Sequence, residues 1–441
     1  MNISTQYKII GFDSWTGGAH FFERYVEVFA KMGLDLSLIH LGSWGGDANR
    51  PDNEKIGNLF LRDVKHFSQK SFLEIIEIEK PSAVIFLSNH TFAHRAFNRL
   101  CHYRNIPTIH VFHGLVTVQD FGSNSAYKIN PIAQVRFIIE RVFKLFRFVM
   151  PEYIRALYQT NASLSEWIRF AIDIVYLSLG ATPKAFAKDS KTDCCCVFTA
   201  ADTDYAVTKY GYAQKDVVPV GNPDLITFGL TETLIGSRVL NAQNESNEVI
   251  YIDTGLVYTG YVFESQTEFT QHIIETRNVL QYQGKHLVFK PHPQHLRHKS
   301  VISALTDAKI DICSNTDFIQ RLQVCCACIV EPSTVSLIPA LVGLPLFLAS
   351  YGKLKNQKYG DAVTSYPRSV VLSNLKDFSS LLATDSANID EASIRKWIEI
   401  NAGPLPAEDI SFRVANVLLK LISDRTQISL DTSSLRSRGS I

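Results

Sequence analysis

The chain has almost no excess charge and lacks the long apolar runs that mark membrane proteins. Among 441 residues, 44 Lys and Arg nearly balance 43 Asp and Glu, which gives a formal net charge of +1. This balance provides no general attraction to nucleic acid, so we expect no nucleic-acid partner. No stretch approaches the roughly 18 apolar residues of a membrane span, and the first residues lack the pattern of a secretory signal peptide.

Cysteine spacing of the zinc-binding kind is absent as well. The eight cysteines occur singly or in tight groups, with no paired C-x-x-C motifs and no histidines at ligand spacing. Cysteines inside apolar segments such as 324–330 are expected to pack as small hydrophobic residues. This usage predicts no metal site and a reducing, cytoplasmic location.

What the sequence does contain is typical of an ordinary globular protein. Hydrophobic residues make up 46% of the chain and charged residues 20%, and a chain of this length is expected to form about two domains. From residue 7 onward, apolar strand-like runs alternate with helical periodicity, which is typical of βαβ units and a parallel sheet. The polar segment 231–248 loses this periodicity and is predicted to link the two domains.

We therefore predict a first domain over residues 1–230, with a helical insertion at about 131–180, and a second domain over residues 249–422. The last residues, 423–441, are polar and are predicted to form a disordered tail. The insertion alternates cations with Phe, Ile and Val. That pattern is compatible with peripheral contact with the inner membrane, or with packed helices that have one solvated face.

Two short segments place polar groups where buried strands end. Residues 287–293 run from an apolar strand into Lys-Pro-His-Pro, and residues 329–336 run from another strand into Glu-Pro-Ser-Thr. Open parallel sheets bind ligands at the carboxyl ends of their strands. A cation, an imidazole, a carboxylate and two hydroxyls at that edge favour a phosphorylated, hydroxyl-rich ligand such as a nucleotide sugar.

Each of these residues has a chemical reason to bind such a ligand. His292 lies between two prolines, so its backbone is stiff and its ring loses little entropy when it contacts phosphate. Lys290 lies on the same face of the strand. Ser333 and Thr334 can cap the next helix, whose N-terminus attracts anions, and Glu331 can accept from ribose hydroxyls. The alternative for the whole set is simple capping of strand and helix ends.

Two further strand ends provide candidate catalytic groups. Asp253 ends the first strand of the second domain and is predicted to act as a nucleophile or base; the alternative is a local turn with its own backbone. Gly255, two residues later, is assigned to the donor site. His113 ends a strand of the first domain and is a candidate base or phosphate ligand, or else a buried, hydrogen-bonded histidine.

Other polar groups of the first half are weaker candidates. The glycine pair at 17–18 opens the first helix and can serve only to allow a tight turn. His20, Glu23 and Asp120 are candidate groups on the acceptor side of the site, without any further signal in the sequence.

The tandem α/β halves and their strand ends resemble GT-B glycosyltransferases. Segments 81–87 and 105–114, the second ending in His-Gly, are similar to the acceptor domain of such enzymes. The Lys-Pro-His-Pro segment and the Ser333–Thr334 pair resemble motifs of bacterial sialyltransferases, capsule Kdo transferases and glycerophosphotransferases of the teichoic-acid type. The acidic motif of sialyltransferases does not precede His113. The resemblance implies an α/β fold of GT-B type, with two Rossmann-like domains facing a central cleft.

The resemblance also implies a donor, an acceptor and a mechanism. His292 and the hydroxyl pair are expected to contact the phosphate and ribose of a cytidine-nucleotide sugar, CMP-Kdo or a CMP-sialic-acid-like sugar. The acceptor would be an oligosaccharide or lipid-linked glycan of a surface polysaccharide. No cofactor or metal is expected, because helix N-termini and basic side chains neutralise the leaving phosphate. A polyol-phosphate transferase, a UDP-sugar transferase and a non-enzymatic nucleotide- or polysaccharide-binding protein are the alternatives.

Overall fold

Two mainly parallel β-sheets, one in each half of the chain, organise the fold. The computed structural model describes residues 6–13, 18–45, 51–68, 70–114, 143, 145–178, 188–239, 246–259, 262–293, 295 and 299–438. The strands of the first sheet are β1 (Tyr7–Asp13), β2 (Leu34–His40), β3 (Asn53–Ile56), β4 (Leu59–Asp63), β5 (Ala83–Phe86), β6 (Thr108–Val111), β7 (Cys194–Val197) and β8 (Val217–Pro219). Those of the second are β9 (Glu248–Ile252), β10 (His286–Lys290), β11 (Asp311–Ile312), β12 (Ala327–Val330), β13 (Leu346–Ala349) and β14 (Ser369–Leu372).

Helices cover both sheets. In the first half they are α1 (Ala19–Lys31), α2 (Gly42–Gly45), α3 (Phe72–Glu79), α4 (Phe92–Tyr103), α5 (Met150–Gln159), α6 (Leu164–Ser178), α7 (Ala200–Thr208) and α8 (Pro223–Phe228). In the second half they are α9 (Gln266–Tyr282), α10 (Ser300–Asp307), α11 (Asn315–Val324), α12 (Leu337–Val342), α13 (Asp361–Thr364), α14 (Phe378–Ala387), α15 (Glu391–Ala402) and α16 (Ile410–Arg438).

The order of the strands determines where ligands can bind. The first sheet runs β3-β4-β2-β1-β5-β6-β7-β8, and only β3 pairs in the antiparallel sense. The second runs β11-β10-β9-β12-β13-β14. In each sheet, the strands that follow the first strand in the chain are added on one side of it, and the later strands are added on its other side. These switch points, between β1 and β5 and between β9 and β12, are where crevices open at the carboxyl ends of strands.

Local sequence signals place the helix ends. Ser71 and Glu74 form a capping box at the start of α3, and Thr91 accepts a hydrogen bond from the first turn of α4. Both caps satisfy backbone N–H groups that a helix leaves unpaired. Gly33, which follows the first helix, has a φ of 77°, a left-handed conformation that costs glycine little.

The helical insertion is tied to the first sheet by a buried cation. Arg95 of α4 donates to Asp173 of α6 at 2.8 Å and to Asp189 at 2.9 Å. Its guanidinium also donates to the hydroxyl of Tyr153 in α5 at 2.6 Å. The predicted helices of the insertion are present over residues 145–178, and this network explains why a polar stretch packs there.

The last helix differs from the prediction of a disordered tail after residue 422. It continues to Arg438, because no proline or glycine interrupts residues 423–438. The helix also leaves the second domain and returns to the first: the Ser411 hydroxyl donates to the carbonyl of Arg24, and Arg425 donates to Asp193. The C-terminal helix therefore packs against the first domain, although it follows the second domain in the chain.

Candidate functional site

Three neighbouring strands bring the predicted donor residues together. In the register of the second sheet, Ile252 at the end of β9 lies opposite Lys290 of β10 and Val330 of β12. The residues that follow these strands, 253, 291–292 and 331, therefore lie side by side at the switch point. The sequence prediction that they meet at one edge of a sheet agrees with this arrangement.

Asp253 links two of these strand ends. Its Oδ1 accepts from the backbone N–H of Gly255 at 2.8 Å, and its Oδ2 accepts from that of His292 at 2.9 Å. His295 Nε2 also lies 2.9 Å from Oδ2, although it is not aligned for a hydrogen bond, so this contact is electrostatic. Both oxygens are thus occupied, and the side chain is completely buried. The geometry favours the local-turn alternative for Asp253 over contact with a substrate.

Glu331 is also buried rather than presented to a ligand. Its Oε1 accepts from the Tyr251 hydroxyl at 2.7 Å, and its Oε2 accepts from the N–H and the hydroxyl of Thr254 at 3.0 and 2.9 Å. Burial, and secondarily the charge of Asp253, raises the pKa of Glu331 to about 8. The expected contact with ribose hydroxyls is not seen; the carboxyl group holds the loop after β9 against β12 instead.

His292 is the donor-site residue that a ligand can reach. Its side chain is partly exposed at the carboxyl edge, and its backbone is fixed by the hydrogen bond to Asp253. Burial of the ring lowers the pKa of His292, while the charge of Asp253 raises it. The net lowering keeps the imidazole neutral near pH 7, so it can donate one hydrogen bond to a phosphate oxygen and accept another.

Lys290 is buried in contacts with neighbouring residues instead of facing an open surface. Its ammonium donates to Asn315 Oδ1 at 2.6 Å and lies over the rings of Phe228 and Phe318 at 5.6 and 5.5 Å. Burial lowers the pKa of Lys290. Since Phe228 belongs to the first domain, Lys290 contributes to the contact between domains, a role that the sequence prediction did not include.

The hydroxyl pair divides into two roles. Ser333 Oγ accepts from the backbone N–H of Val335 at 3.3 Å and so caps the helical turn before α12. The Thr334 hydroxyl bonds the carboxylate of Asp224 in the first domain, where burial raises the pKa of Asp224. Both residues are partly exposed, and Gly255 adopts a φ of 75° that only glycine accepts readily.

The candidate residues of the first domain lie in and around the first sheet and helix α1. His113, after β6, is exposed; its Nδ1 donates to the carbonyl of Leu87 at 2.9 Å, and its ring meets Phe21 edge-on. This leaves Nε2 of His113 as the ring nitrogen available to a substrate. His20 stacks on Phe21. Glu23 lies on the other side of α1, against Gly57. Gly17 and Asp120 lie outside the described residues.

Sequence reasoning missed Asp13. It ends β1 at the switch point of the first sheet, as Asp253 follows β9 in the second, and its Oδ1 lies 3.7 Å from Nε2 of the buried His94. A side chain at Gly18 would come within 2.6 Å of Asp13 Oδ2, so the glycine allows the backbone to pack against this buried carboxylate. The signal in the sequence is the shared pattern of an apolar strand, an aspartate and a following glycine.

Other partners missed by the sequence are hydrogen-bonding side chains within the donor loop. Tyr251, Thr254 and His295 hold Glu331 and Asp253 in place. Tyr251 is an inward-facing residue of a buried strand, and no motif marks it. Within the described part of the chain, no group of three His, Cys, Asp or Glu side chains is arranged to hold a metal ion.

Searches of known proteins identify the fold but no family. No protein-family model and no curated protein matches the chain. The glycotransferase of kitacinnamycin is 10% identical over 95% of this chain and 99% of its own, with a TM-score of 0.50. The wall teichoic acid polymerase TagF, soaked with CDPG, is 12% identical over 96% and 90%, with a TM-score of 0.49. UDP-N-acetylglucosamine 2-epimerase from Rickettsia bellii is 14% identical over 95% and 96%, with a TM-score of 0.43.

These likenesses concern the fold alone. The strand order of both sheets and the similarity to the kitacinnamycin glycotransferase confirm the predicted α/β fold of GT-B type, with two Rossmann-like domains. Among the described helices, none combines the length and apolar character needed to cross a bilayer.

Proposed function

We propose that the protein is a glycosyltransferase that moves a sugar from a nucleotide donor to a glycan acceptor. The observation that carries this proposal is the partly exposed His292, held by Asp253 at the switch point of the second sheet. Ligands of open α/β sheets bind at this position. A neutral imidazole with a fixed backbone suits the phosphate of a nucleotide, and the GT-B fold supports the assignment to sugar transfer.

The donor site would use His292, Ser333 and the backbone around them. His292 would hydrogen-bond the phosphate of the donor, and the partly exposed hydroxyl of Ser333 would face its ribose or phosphate. Because Lys290 and Glu331 are buried in other contacts, they would support the site from behind. A cytidine-nucleotide sugar, CMP-Kdo or a CMP-sialic-acid-like compound, is the donor that the Lys-Pro-His-Pro and paired-hydroxyl segments favour.

The acceptor would lie at the carboxyl edge of the first sheet. His113 and Asp13 both end strands there, and either group can take the proton from an attacking hydroxyl. No residue of the second domain is needed as a nucleophile in this arrangement. We therefore propose direct displacement, with inversion of the sugar, and without a metal ion.

Thermal-shift measurements with nucleotides test the donor assignment. CMP should raise the melting temperature more than CDP or UDP, and incubation with a CMP-sugar and a glycan acceptor should release CMP in the presence of EDTA. A stronger effect of UDP would assign the site to a UDP-sugar, and a stronger effect of CDP to a polyol-phosphate donor. Strict dependence on a divalent ion would contradict the metal-free mechanism. No response to any nucleotide at millimolar concentration would favour a protein that is not an enzyme.

The insertion supports a further part of the proposal, peripheral contact with an anionic membrane surface. Leu164, Ile168, Ile172 and Val175 of α6 are exposed at helical spacing, and Arg155 on the preceding helix adds an exposed cation. Apolar side chains beside cations are typical of helices that lie on anionic lipid. Cosedimentation with phosphatidylglycerol vesicles should fall when Ile168 and Ile172 are replaced by Ser, whereas equal sedimentation would contradict the contact.

A further inference from the structure

A cavity of about 690 Å³ opens in the first domain. It lies beyond the ends of β2 and β4, between α2, the helical turn after β4 and the start of the insertion. Its wall includes Ser43 and Lys65, which follow the ends of β2 and β4, and Arg147 and Arg155 of the insertion. The volume is that of a site for a small organic molecule, and the cavity is separate from the donor residues of the second domain.

The wall of the cavity is strongly cationic. Lys65, Lys70, Arg147 and Arg155 line it, against one carboxylate, Glu152. That carboxylate is already used inside the protein: Glu152 Oε2 accepts from the backbone N–H of Phe72 at 2.9 Å, and Oε1 accepts from Arg155 at 2.5 Å.

Two of the other cations contact exposed carboxylates. Lys65 contacts the exposed Asp52 at 3.2 Å, and Lys70 reaches the exposed Glu74 only at 4.0 Å. Exposed pairs of this kind are weak. A chain with a net charge of +1 thus concentrates several cations in one concave surface, and this concentration favours an anionic ligand.

Aromatic side chains form one side of the cavity. Trp44 stacks on Phe148 with ring centroids 5.7 Å apart and an angle of 13° between the rings. It also stacks on Phe72 at 5.6 Å and 23°. These two contacts fix the indole ring. Trp44 and Phe148 line the cavity and give it an apolar wall against which the C–H groups of a sugar can pack.

The cavity lies within reach of the proposed acceptor groups. In the register of the first sheet, Asp13 pairs with His40, and His40 pairs with Asp63. The ends of β1 and β4 are therefore two strand spacings apart, about 10 Å. A disaccharide is of similar length, so a ligand in the cavity can span the distance to the switch point of the first sheet.

We propose that this cavity binds the anionic group of the acceptor, so that the acceptor is a sugar carrying a phosphate or a carboxylate. Lys70 and Arg147 contact the anion, Lys65 reinforces them, and the apolar wall of Trp44 and Phe148 packs against the sugar. The inference rests on the proposed glycosyltransferase activity, because only that activity makes a bound sugar an acceptor. Its binding step can nevertheless be measured on its own.

Isothermal titration calorimetry with three probes tests the binding step: glucose 1-phosphate, glucuronic acid and glucose. We expect at least one of the two anionic sugars to bind more than about tenfold more tightly than glucose. Replacing Lys70 and Arg147 together by Gln should weaken that binding by about ten- to hundredfold. The control replaces Lys376 and Lys396, exposed cations of the second domain, by Gln, and should bind like the wild type.

The comparison of the two anionic probes identifies the anion as a phosphate or a carboxylate. Equal affinity for glucose and both anionic sugars would overturn the proposal, and so would unchanged binding in the variant that lacks Lys70 and Arg147. The His292→Ala variant separates the two sites. It should lose the thermal response to CMP and keep the binding of the anionic sugar. The variant with Gln at positions 70 and 147 should keep the response to CMP and lose the binding of the anionic sugar. A third outcome separates the two proposals. If neither the wild type nor any variant responds to CMP, but the anionic sugar still binds through Lys70 and Arg147, the glycosyltransferase proposal fails and the anion site stands.

Discussion

The residues at the switch point of the second sheet differ most in how far a ligand can reach them. Asp253 and Glu331 have little or no exposed surface, whereas His292 is partly exposed. A buried carboxylate with all of its hydrogen bonds made has little left to offer a substrate. At the residue scale, His292 is therefore the most accessible of these three side chains, and Asp253 fixes the position of its backbone.

Replacing His292 by Ala should remove most of the activity and leave the fold intact. Loss of one hydrogen bond to the donor phosphate is expected to cost about 2–3 kcal/mol, or tens- to hundreds-fold in turnover. Nucleotide release and the thermal shift with CMP measure the two effects. His286→Ala is the matched control, since His286 is an exposed residue at the other end of the same strand. Normal turnover by His292→Ala would mean that the donor binds elsewhere.

Glu331 should make the stability of the protein depend on pH. Its pKa is about 8 in the folded protein, above the ordinary value, so the folded state binds a proton that the unfolded state has released. The stability due to the protonated carboxyl is complete below the ordinary pKa of 4.5, declines as pH rises, and is lost once pH passes about 8. At alkaline pH, the ionised Glu331 is a buried negative charge beside Asp253.

The variant Glu331→Gln tests this dependence. A neutral amide can keep partners at Tyr251 and Thr254 without the cost of a buried charge, so its melting temperature should fall less than that of the wild type between pH 6 and pH 9. Glu399→Gln, which changes an exposed carboxylate of the same domain, should follow the wild-type curve. Parallel curves for wild type and Glu331→Gln would show that Glu331 is already ionised at pH 6.

At the scale of elements, the sequence predicts strands and helices well where the signals are local. The apolar runs of β1, β5 and β12 and the capping box of α3 are signals that lie within the elements themselves. The hairpin of β3 and β4 was missed, although Gly57-Asn58 at its tip is a turn signal, because its strands have only 4 and 5 residues.

The sequence predicts where residues 253, 292 and 331 lie relative to the strands, but it does not predict their side-chain partners. The position of 253, 292 and 331 follows from the edge rule for parallel sheets. The burial of Glu331 depends on Tyr251, and the direction of Lys290 depends on Phe228 in the other domain. Contacts of this kind arise only when elements distant in sequence pack together, so no local pattern reports them.

The loops after β9 and β10 should depend on each other through Asp253. Its two oxygens accept from Gly255 and from His292, and in Asp253→Asn the amide NH₂ must face one of these N–H donors. The loss of a hydrogen bond to a charged acceptor costs about 1.5–3 kcal/mol. We expect a lower melting temperature together with weaker nucleotide binding. Asp307→Asn, which changes an exposed aspartate, is the control and should have neither effect.

The sequence alone predicts a different outcome for the same change. A catalytic Asp253 would lose turnover in Asp253→Asn and keep both nucleotide binding and stability. Turnover lost alone, or a covalent sugar adduct trapped on Asp253, would therefore support the nucleophile and contradict the positioning role.

At the scale of the whole molecule, the last helix joins the two domains. Near the start of helix α16, Arg413 donates to the carbonyl of Val220 in the first domain at 3.0 Å and to that of Pro404, which follows α15 of the second domain, at 3.1 Å. Further along, Arg425 donates to Asn105 at 2.8 Å and to Asp193 at 2.7 Å. Glycosyl transfer between two sheets requires their edges to stay aligned, and a helix that contacts both domains limits how they can move.

Removing the outer contact of this helix should loosen the first domain and leave the second unchanged. Asp193 Oδ2 accepts from the N–H of Thr108 at the start of β6, so Arg425→Ala leaves the junction of β6 and β7 with one cation fewer. A partly exposed pair contributes about 1 kcal/mol or less, which corresponds to a fall of about 2–4 °C in the melting temperature of a domain of this size. Hydrogen exchange should become faster in β6 and β7 and stay the same in β9 and β12. Arg395→Ala, which removes an ion pair within α15 alone, should leave exchange in β6 and β7 unchanged. Faster exchange in both sheets of Arg425→Ala would mean that the helix couples the stability of the two domains, and that its outer half helps to hold the donor and acceptor edges together.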